Sequence, residues 1–178
     1  MSEDNGRSGG DHSGLRVERD EFVASMAAFP TGVTIVTTLD GDGRAVGLTC
    51  NAFMSVSADP PLVLVSVDKT SNTLPALRRM RRFVVNFLSA GREELALLCA
   101  SKRTDKFVEI PWRASEEHGL PILHEDSIAH ARCDVVDEIE AGDHVLLLGH
   151  VQEVSPPEPD AVPLLYFRRT YDRWPVTS

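Results

Sequence analysis

Cysteine, basic charge and long apolar runs are all in short supply, and each shortage closes off a class of function. The 178 residues hold three cysteines, Cys50, Cys99 and Cys133, with no C-x-x-C spacing. That excludes a disulfide framework and a zinc pattern, and reads as buried free thiols in a reducing compartment. Lysine and arginine number 18 against 27 aspartates and glutamates, for a formal net charge of -9. A chain this acidic has no electrostatic footing on nucleic acid or on an anionic membrane. No apolar stretch approaches the ~20 residues of a membrane-spanning helix. The first residues are acidic, polar and glycine-rich rather than basic then apolar, which is not the pattern of a secretory signal. The expectation is a cytoplasmic protein with one domain over 17–178. Ahead of it, 1–16 form a leader too polar to offset its own ordering entropy.

Several catalytic motifs are also missing. There is no G-x-S-x-G and no P-loop, so nucleophilic hydrolysis and P-loop phosphate binding lack support. Of the six histidines, none makes an H-x-x-x-H or H-E-x-x-H pair. His130 and Cys133 lie three apart on a strand, on opposite faces, so no metal site is expected. Gly41-x-Gly43-x-x-x-Gly47 nearly spells a dinucleotide fingerprint. Its last spacing is one residue too long, and a strand rather than a helix follows, so nothing offers a helix N-terminus to a pyrophosphate. No internal repeat is present.

What is there is a succession of short β-branched runs. Residues 18–29 predict a helix whose stripe Phe22, Met26 and Phe29 packs on the core, ended by Pro30. Residues 31–39 (TGVTIVTTL) predict one strand, and Asp40-Gly41-Asp42-Gly43 a hairpin turn. Further strands are expected at 62–67, 83–88, 119–123, 128–139, 144–154 and 164–167, with Gly149 a bulge or close-contact point. Short helices are expected at 74–80, capped by Ser71 or Asn72, and at 92–100, with Leu95, Leu98 and Cys99 inward. Residues 138–143 read as a turn, 156–159 as an exposed linker, and Tyr171 and Trp174 stand near the end. Seven to nine strands, few helices and no βαβ alternation make this mainly β, an antiparallel barrel or sandwich.

The chain is organised around Gly47-Leu48-Thr49-Cys50-Asn51-Ala52-Phe53-Met54-Ser55-Val56-Ser57-Ala58-Asp59-Pro60-Pro61. Thr49, Asn51, Ser55 and Ser57 alternate with Leu48, Cys50, Ala52, Met54 and Val56. As one strand, the stretch sets its short polar groups on a single face, with the prolines stopping it. Such a row suits a flat, polar-edged ligand with a phosphate tail, and equally suits a solvated face. The same two readings apply to the segment Asp68-Lys69-Thr70-Ser71-Asn72-Thr73: a phosphate cradle or plain helix capping. Arg78, Arg79, Arg81 and Arg82 make a basic cluster, either solvated or facing a nucleotide phosphate. Lys106-Phe107 closes a polar loop, and His144 opens an apolar strand just after Gly142-Asp143.

Taken together, these segments resemble the short-chain flavin reductases, the reductase components of two-component flavin monooxygenases. The resemblance runs from about Phe22 to Tyr171. It rests on Phe29-Pro30-Thr31-Gly32-Val33, Thr49 to Pro61, Lys69 to Thr73, Phe83-Val84-Val85-Asn86, Lys106-Phe107, Gly119-Leu120-Pro121, Gly142-Asp143-His144 and Pro163 to Phe167, in the family's order. It implies a split β-barrel of Greek-key type with a few short peripheral helices, and a homodimer with the flavin site near the interface. It implies hydride transfer from NADH or NADPH to FAD or FMN, with reduced flavin passing to a separate flavin-dependent monooxygenase. Carried onto this chain, Thr49, Cys50, Asn51 and Ala52 would line the isoalloxazine, with Thr31 near the ring. Ser55, Val56 and Ser57, with Lys69, Ser71 and Thr73, would hold the ribityl chain and phosphate. Lys106 and Phe107 would close the site, and His144, with Tyr171, would place the nicotinamide. Two other readings compete: a split-barrel oxidase that retains its flavin, and a non-enzymatic flavin- or haem-binding barrel or scaffold subunit. The first predicts no need for added flavin, and the second predicts binding without NADH oxidation.

Overall fold

The computed structural model describes residues 17–156 and 159–173. The expected leader, Trp174 and part of the 156–159 linker lie outside those residues. In chain order the elements are α1 (Arg19–Met26), β1 (Thr31–Gly32), β2 (Thr34–Leu39), β3 (Ala45–Cys50), β4 (Phe53–Ala58), β5 (Pro61–Asp68), α2 (Leu74–Met80) and β6 (Arg82–Leu88). Then follow α3 (Glu93–Ala100), a 3-10 turn (Lys106–Val108), β7 (Arg113–Ala114), β8 (Pro121–Ile122), β9 (Ser127–Ala141), β10 (His144–Val154), β11 (Leu164–Phe167) and β12 (Thr170–Arg173).

Seven strands form the main sheet in the order β3-β2-β6-β9-β10-β5-β4, every pairing antiparallel. Its two edges, β3 and β4, are consecutive in the chain. The stretch expected as one strand is therefore broken at Asn51-Ala52, where it changes partner from β2 to β5. The break brings the edges to one seam: Ser66 N–H donates to the Ala52 carbonyl at 3.0 Å, and Cys50 Sγ lies 3.6 Å from the Ser66 carbonyl. This is a mainly β fold of split-barrel type with three short helices.

Strict alternation fills the interior. Val63, Val65 and Val67 of β5 and Val145 and Leu147 of β10 point in and meet Phe83, Leu77 and Cys133. A second cluster sits outside the sheet, where Ala96 and Cys99 of α3 pack on Val33, Ile35, Leu88 and Leu164. Leu95 and Leu98 are only half-buried. Gly149 meets both expectations: the β9–β10 register shifts there, and a Cβ would come within 2.7 Å of the Phe83 ring. The Asp40 carboxylate accepts from the Asp42 and Arg44 N–H groups and closes the β2–β3 hairpin, with Gly43 at φ 77°.

Four expectations need correcting. The α1 stripe is not core: Phe22, Met26 and Phe29 are 56%, 54% and 70% exposed, and no α1 residue is buried. Residues 31–39 are two strands in different sheets, because β1 pairs with β11 of a small sheet. Residues 138–141 are strand, and only Gly142-Asp143 turn, with Gly142 at φ 62°. The α2 cap is Thr73 rather than Ser71 or Asn72, and it makes no side-chain cap bond.

Candidate functional site

The seam between β3 and β5 opens into a cleft of three adjoining compartments. The first, about 270 Å³, lies between the 68–73 loop and the end of α3 and is lined by Ser71, Asn72, Lys102 and Thr49 among others. The second, about 190 Å³, shares Thr49 and Ala100 with the first and adds Tyr166 and Tyr171. The third, about 400 Å³, shares Val33 and Asn51 with the second and is mostly apolar, with Phe29, Phe53 and Phe87 in its wall. Polarity thus falls along the cleft from a cationic and hydroxyl end, past two phenols, to an aromatic and aliphatic end.

Local structure explains each wall. The 68–73 loop and the start of the 101–107 loop are laced together: Lys102 Nζ donates to the Thr70 carbonyl at 2.9 Å and hydroxyl at 3.0 Å, and Asn72 Nδ2 donates to the Lys102 carbonyl at 2.9 Å. Tyr166 and Tyr171 are cross-strand partners on β11 and β12, with ring centroids 5.1 Å apart at 52°. Burial pushes the Tyr171 phenol above its ordinary pKa. The Thr31 hydroxyl, in the wall of the third compartment, is buried with no partner in the protein. An orphaned buried donor is costly unless a ligand or water answers it.

The sequence over residues 26–175 matches the flavin reductase like domain. The chain belongs to the flavin reductase-like family. It is 42% identical over 160 residues to the NADH flavin reductase of Kitasatospora aureofaciens, covering 90% of this chain and 84% of that protein. It is 40% identical over 164 residues to the NADPH flavin reductase of Lentzea aerocolonigenes, covering 92% and 95%. Among solved structures, the Streptomyces globisporus C-1027 NADH:FAD oxidoreductase SgcE6, in complex with NAD and FAD fragments, aligns with a TM-score of 0.82 at 33% identity, covering 89% of this chain and 93% of that one.

Within this flavin reductase-like chain, the expected site residues fall into three groups. Thr31, Thr49, Asn51, Ser71, Thr73, Lys106 and Tyr171 line the cleft. Several of these already serve the protein itself. Thr49 Oγ1 donates to the Ala96 carbonyl at 2.6 Å, and Thr73 Oγ1 to the Gly47 carbonyl at 3.0 Å. Lys106, only 7% exposed, donates to the Cys99 carbonyl at 2.7 Å and the Gly47 carbonyl at 3.3 Å, and burial holds its pKa down. Ser71 Oγ accepts from Thr73 N–H, which leaves its own proton free.

A second group stands at the rim. Asp68 lines the first compartment and faces His144 across the β5–β10 ladder. The His144 Nδ1 lies 2.8 Å from Asp143 Oδ1, and that contact holds the Asp143 carboxyl below its usual range. Lys69 turns its ammonium to the Gly142 carbonyl and to Glu140. Ser55, Val56 and Ser57 lie on the exposed edge strand β4, where a bulge at Val56 interrupts pairing. Ser55 shares the strand face of Phe53, which walls the third compartment.

The third group turns away. Cys50 faces the core, where desolvation raises its thiol pKa to about 11. The Phe107 ring packs over Gly47, where a Cβ would approach within 2.8 Å. Ala52, by contrast, belongs with the rim, exposed at the seam. Three of the four arginines at the end of α2 face carboxylates rather than the cleft, Arg78 pairing with Glu138 and Glu140, Arg81 with Glu138 and Arg82 with Asp134, while the Arg79 guanidinium lies against Gly41. Sequence reasoning missed Lys102 and Tyr166. Tyr166 had a signal, its position opposite Tyr171 across a Phe167 to Thr170 turn; Lys102 had none that set it apart from Lys106.

Proposed function

We propose that this protein is an NADH- or NADPH-dependent flavin reductase that takes FAD or FMN as a diffusible substrate and delivers reduced flavin to a separate monooxygenase. One observation carries the diffusible part of this reading. Most hydroxyl and ammonium groups around the cleft are committed to main-chain carbonyls, so few donors remain for a ligand. A flavin held by Ser71, the one Lys102 proton not given to Thr70, Asn51, the orphaned Thr31 hydroxyl and the two tyrosines would bind through short polar contacts and stacking, and would leave readily. The donor set fits a flavin nucleotide: phosphate at the polar end and the ring toward the apolar one. The bound flavin supplies the hydride-acceptor chemistry. The chain contributes orientation, with His144 and Tyr171 placing the nicotinamide and Ala52, Ser55 and Ser57 flanking the flavin along the seam.

The relatives support the partner. One is the flavin-dependent monooxygenase reductase subunit HsaB of Mycobacterium tuberculosis, 36% identical over 157 residues and covering 88% of this chain and 82% of that protein. The homodimer has its own support in apolar surface beside the cleft: the bare α1 stripe, whose Phe29 continues into the third compartment's wall, and exposed Met54 and Val56 on β4. A cytoplasmic setting supplies the nicotinamide nucleotides and suits three buried, unpaired thiols. No helix among the described residues is long and apolar enough to cross a membrane.

The test is absorbance at the NADH band with NADH or NADPH, and with FMN, FAD or no added flavin. Oxidation that requires and saturates with added flavin is the expected result. Oxidation without added flavin would mean a retained flavin, and none under any combination would mean a binding barrel.

A further inference from the structure

We infer that an ion relay running from α2 through Glu140 to Lys69 fixes the tip of the β9–β10 hairpin, and that Glu140 and Arg78 are thereby positioning residues for His144. The inference rests on His144 serving the nicotinamide, as proposed above. The need for such a device is visible in burial. Beyond Val135 no residue of β9 is buried, so although β10 stays anchored through Val145 and Leu147, the β9 side and the Gly142-Asp143 turn have no core of their own to hold them. Polar contacts take over there. Arg78, in the last turn of α2, donates to Glu138 Oε1 at 2.7 Å and to Glu140 Oε1 at 2.9 Å. The other oxygen of Glu140 lies 2.5 Å from Lys69 Nζ. That ammonium also donates to the Gly142 carbonyl at 2.8 Å, and the Lys69 N–H donates to the Asp143 carbonyl at 3.0 Å. Asp143 in turn engages the imidazole through Nδ1, which leaves Nε2 as the ring's free nitrogen.

The chain of contacts is continuous from helix to imidazole, and Lys69 is its centre. That explains why Lys69 faces the hairpin rather than the cleft. Each ion pair is partly exposed, so its worth lies in placement more than in global stability. Neither Glu140 nor Arg78 lines any compartment of the cleft, so both act on the ligand only through the tip.

Glu140→Gln separates this role from simple electrostatics by sign. Removing a negative charge near the site of an anionic dinucleotide strengthens its binding if charge alone matters. Loosening the tip weakens it. The experiment measures steady-state KM for the nicotinamide nucleotide and for flavin in wild type, Glu140→Gln, Arg78→Gln, His144→Ala and the Glu140→Gln/His144→Ala double variant. Arg44→Gln, which loses a pair with Asp42 on another hairpin, is the control. The expected result is a nicotinamide KM raised about fivefold in Glu140→Gln and Arg78→Gln, with flavin KM and Tm nearly unchanged and Arg44→Gln like wild type. The double variant should be no worse than His144→Ala, since the relay acts through that ring. A nicotinamide KM unchanged or lowered in Glu140→Gln, while His144→Ala raises it, overturns the relay and leaves the assignment of His144 standing. An unchanged KM in His144→Ala removes that assignment and the relay with it.

Discussion

Lys106 shows how far a residue's type falls short of its role. The sequence presents a lysine beside an aromatic in a polar loop, a reasonable phosphate contact. The fold buries the ammonium against the Cys99 and Gly47 carbonyls, tying the end of α3 to β3. Lys106→Met would take the Cys99 carbonyl's side-chain donor and one of the two that serve the Gly47 carbonyl, Thr73 Oγ1 remaining, at a cost of about 1–3 kcal/mol. Thermal denaturation should show a clear fall in Tm, with a smaller change in flavin KM. A large KM change at constant Tm would instead make Lys106 a ligand contact. Loop, charge and aromatic neighbour were all legible in the sequence. Depth was not, because it is set by Gly47, 59 positions away along the chain. Cys50 is the converse case: alternation placed it correctly on the apolar face, and burial then excludes its side chain from the cleft.

At the scale of elements, α1 and the signature stretch, Gly47 to Pro61, depart from their expected form for the same physical reason. Periodicity reports which side of an element is apolar, not what covers that side. Phe22, Met26 and Phe29 do form a stripe, yet the described residues leave each of them more than half exposed. Replacing Phe22 and Met26 together by serine should leave the fold's Tm nearly unchanged while shifting sedimentation velocity toward monomer. A variant that still sediments as wild type would take α1 out of the proposed interface. In the signature stretch the period of two continues through Asn51-Ala52 although the strand changes partner there, so the alternation carries no mark of the break. The run Glu138 to Asp143 reads as a turn because neither face of β9 is buried beyond Val135, which removes alternation from a real strand. By contrast α2 and the strands at 144–154 and 164–167 matched their expected limits, since each carries one buried face, α2 and β10 against the main core and β11 against the second cluster.

For the whole molecule, the cleft exists only because distant segments converge: the loops at 68–73 and 101–107, the β3–β4 seam and the β11–β12 hairpin. Family resemblance ordered those segments correctly; their convergence depends on which strands pair across long crossovers, and the pairing of β2 with β6 and of β5 with β10 leaves no local trace. The three thiols give the molecule a pH signature. Burial raises Cys50 to about 11 and both Cys99 and Cys133 to about 12, from 9.0 in the exposed state. Between pH 9 and 11 the unfolded chain therefore releases thiol protons that the native state retains. Stability then falls as pH rises through that window, and below it the thiols contribute no pH dependence. Denaturant midpoints measured from pH 8 to 10.5 should decline, and less steeply in Cys99→Ala.

Those same thiols bear on how long such a protein survives its own chemistry. A reduced flavin that meets oxygen before it meets an oxygenase yields hydrogen peroxide, and the species that peroxide attacks is an accessible thiolate. Here no cysteine is accessible and none ionises near neutrality. A reductase built this way keeps its thiols through many wasted turnovers, and the sulfur its oxidant can reach is confined to the exposed thioethers of Met26 and Met54 among the described residues.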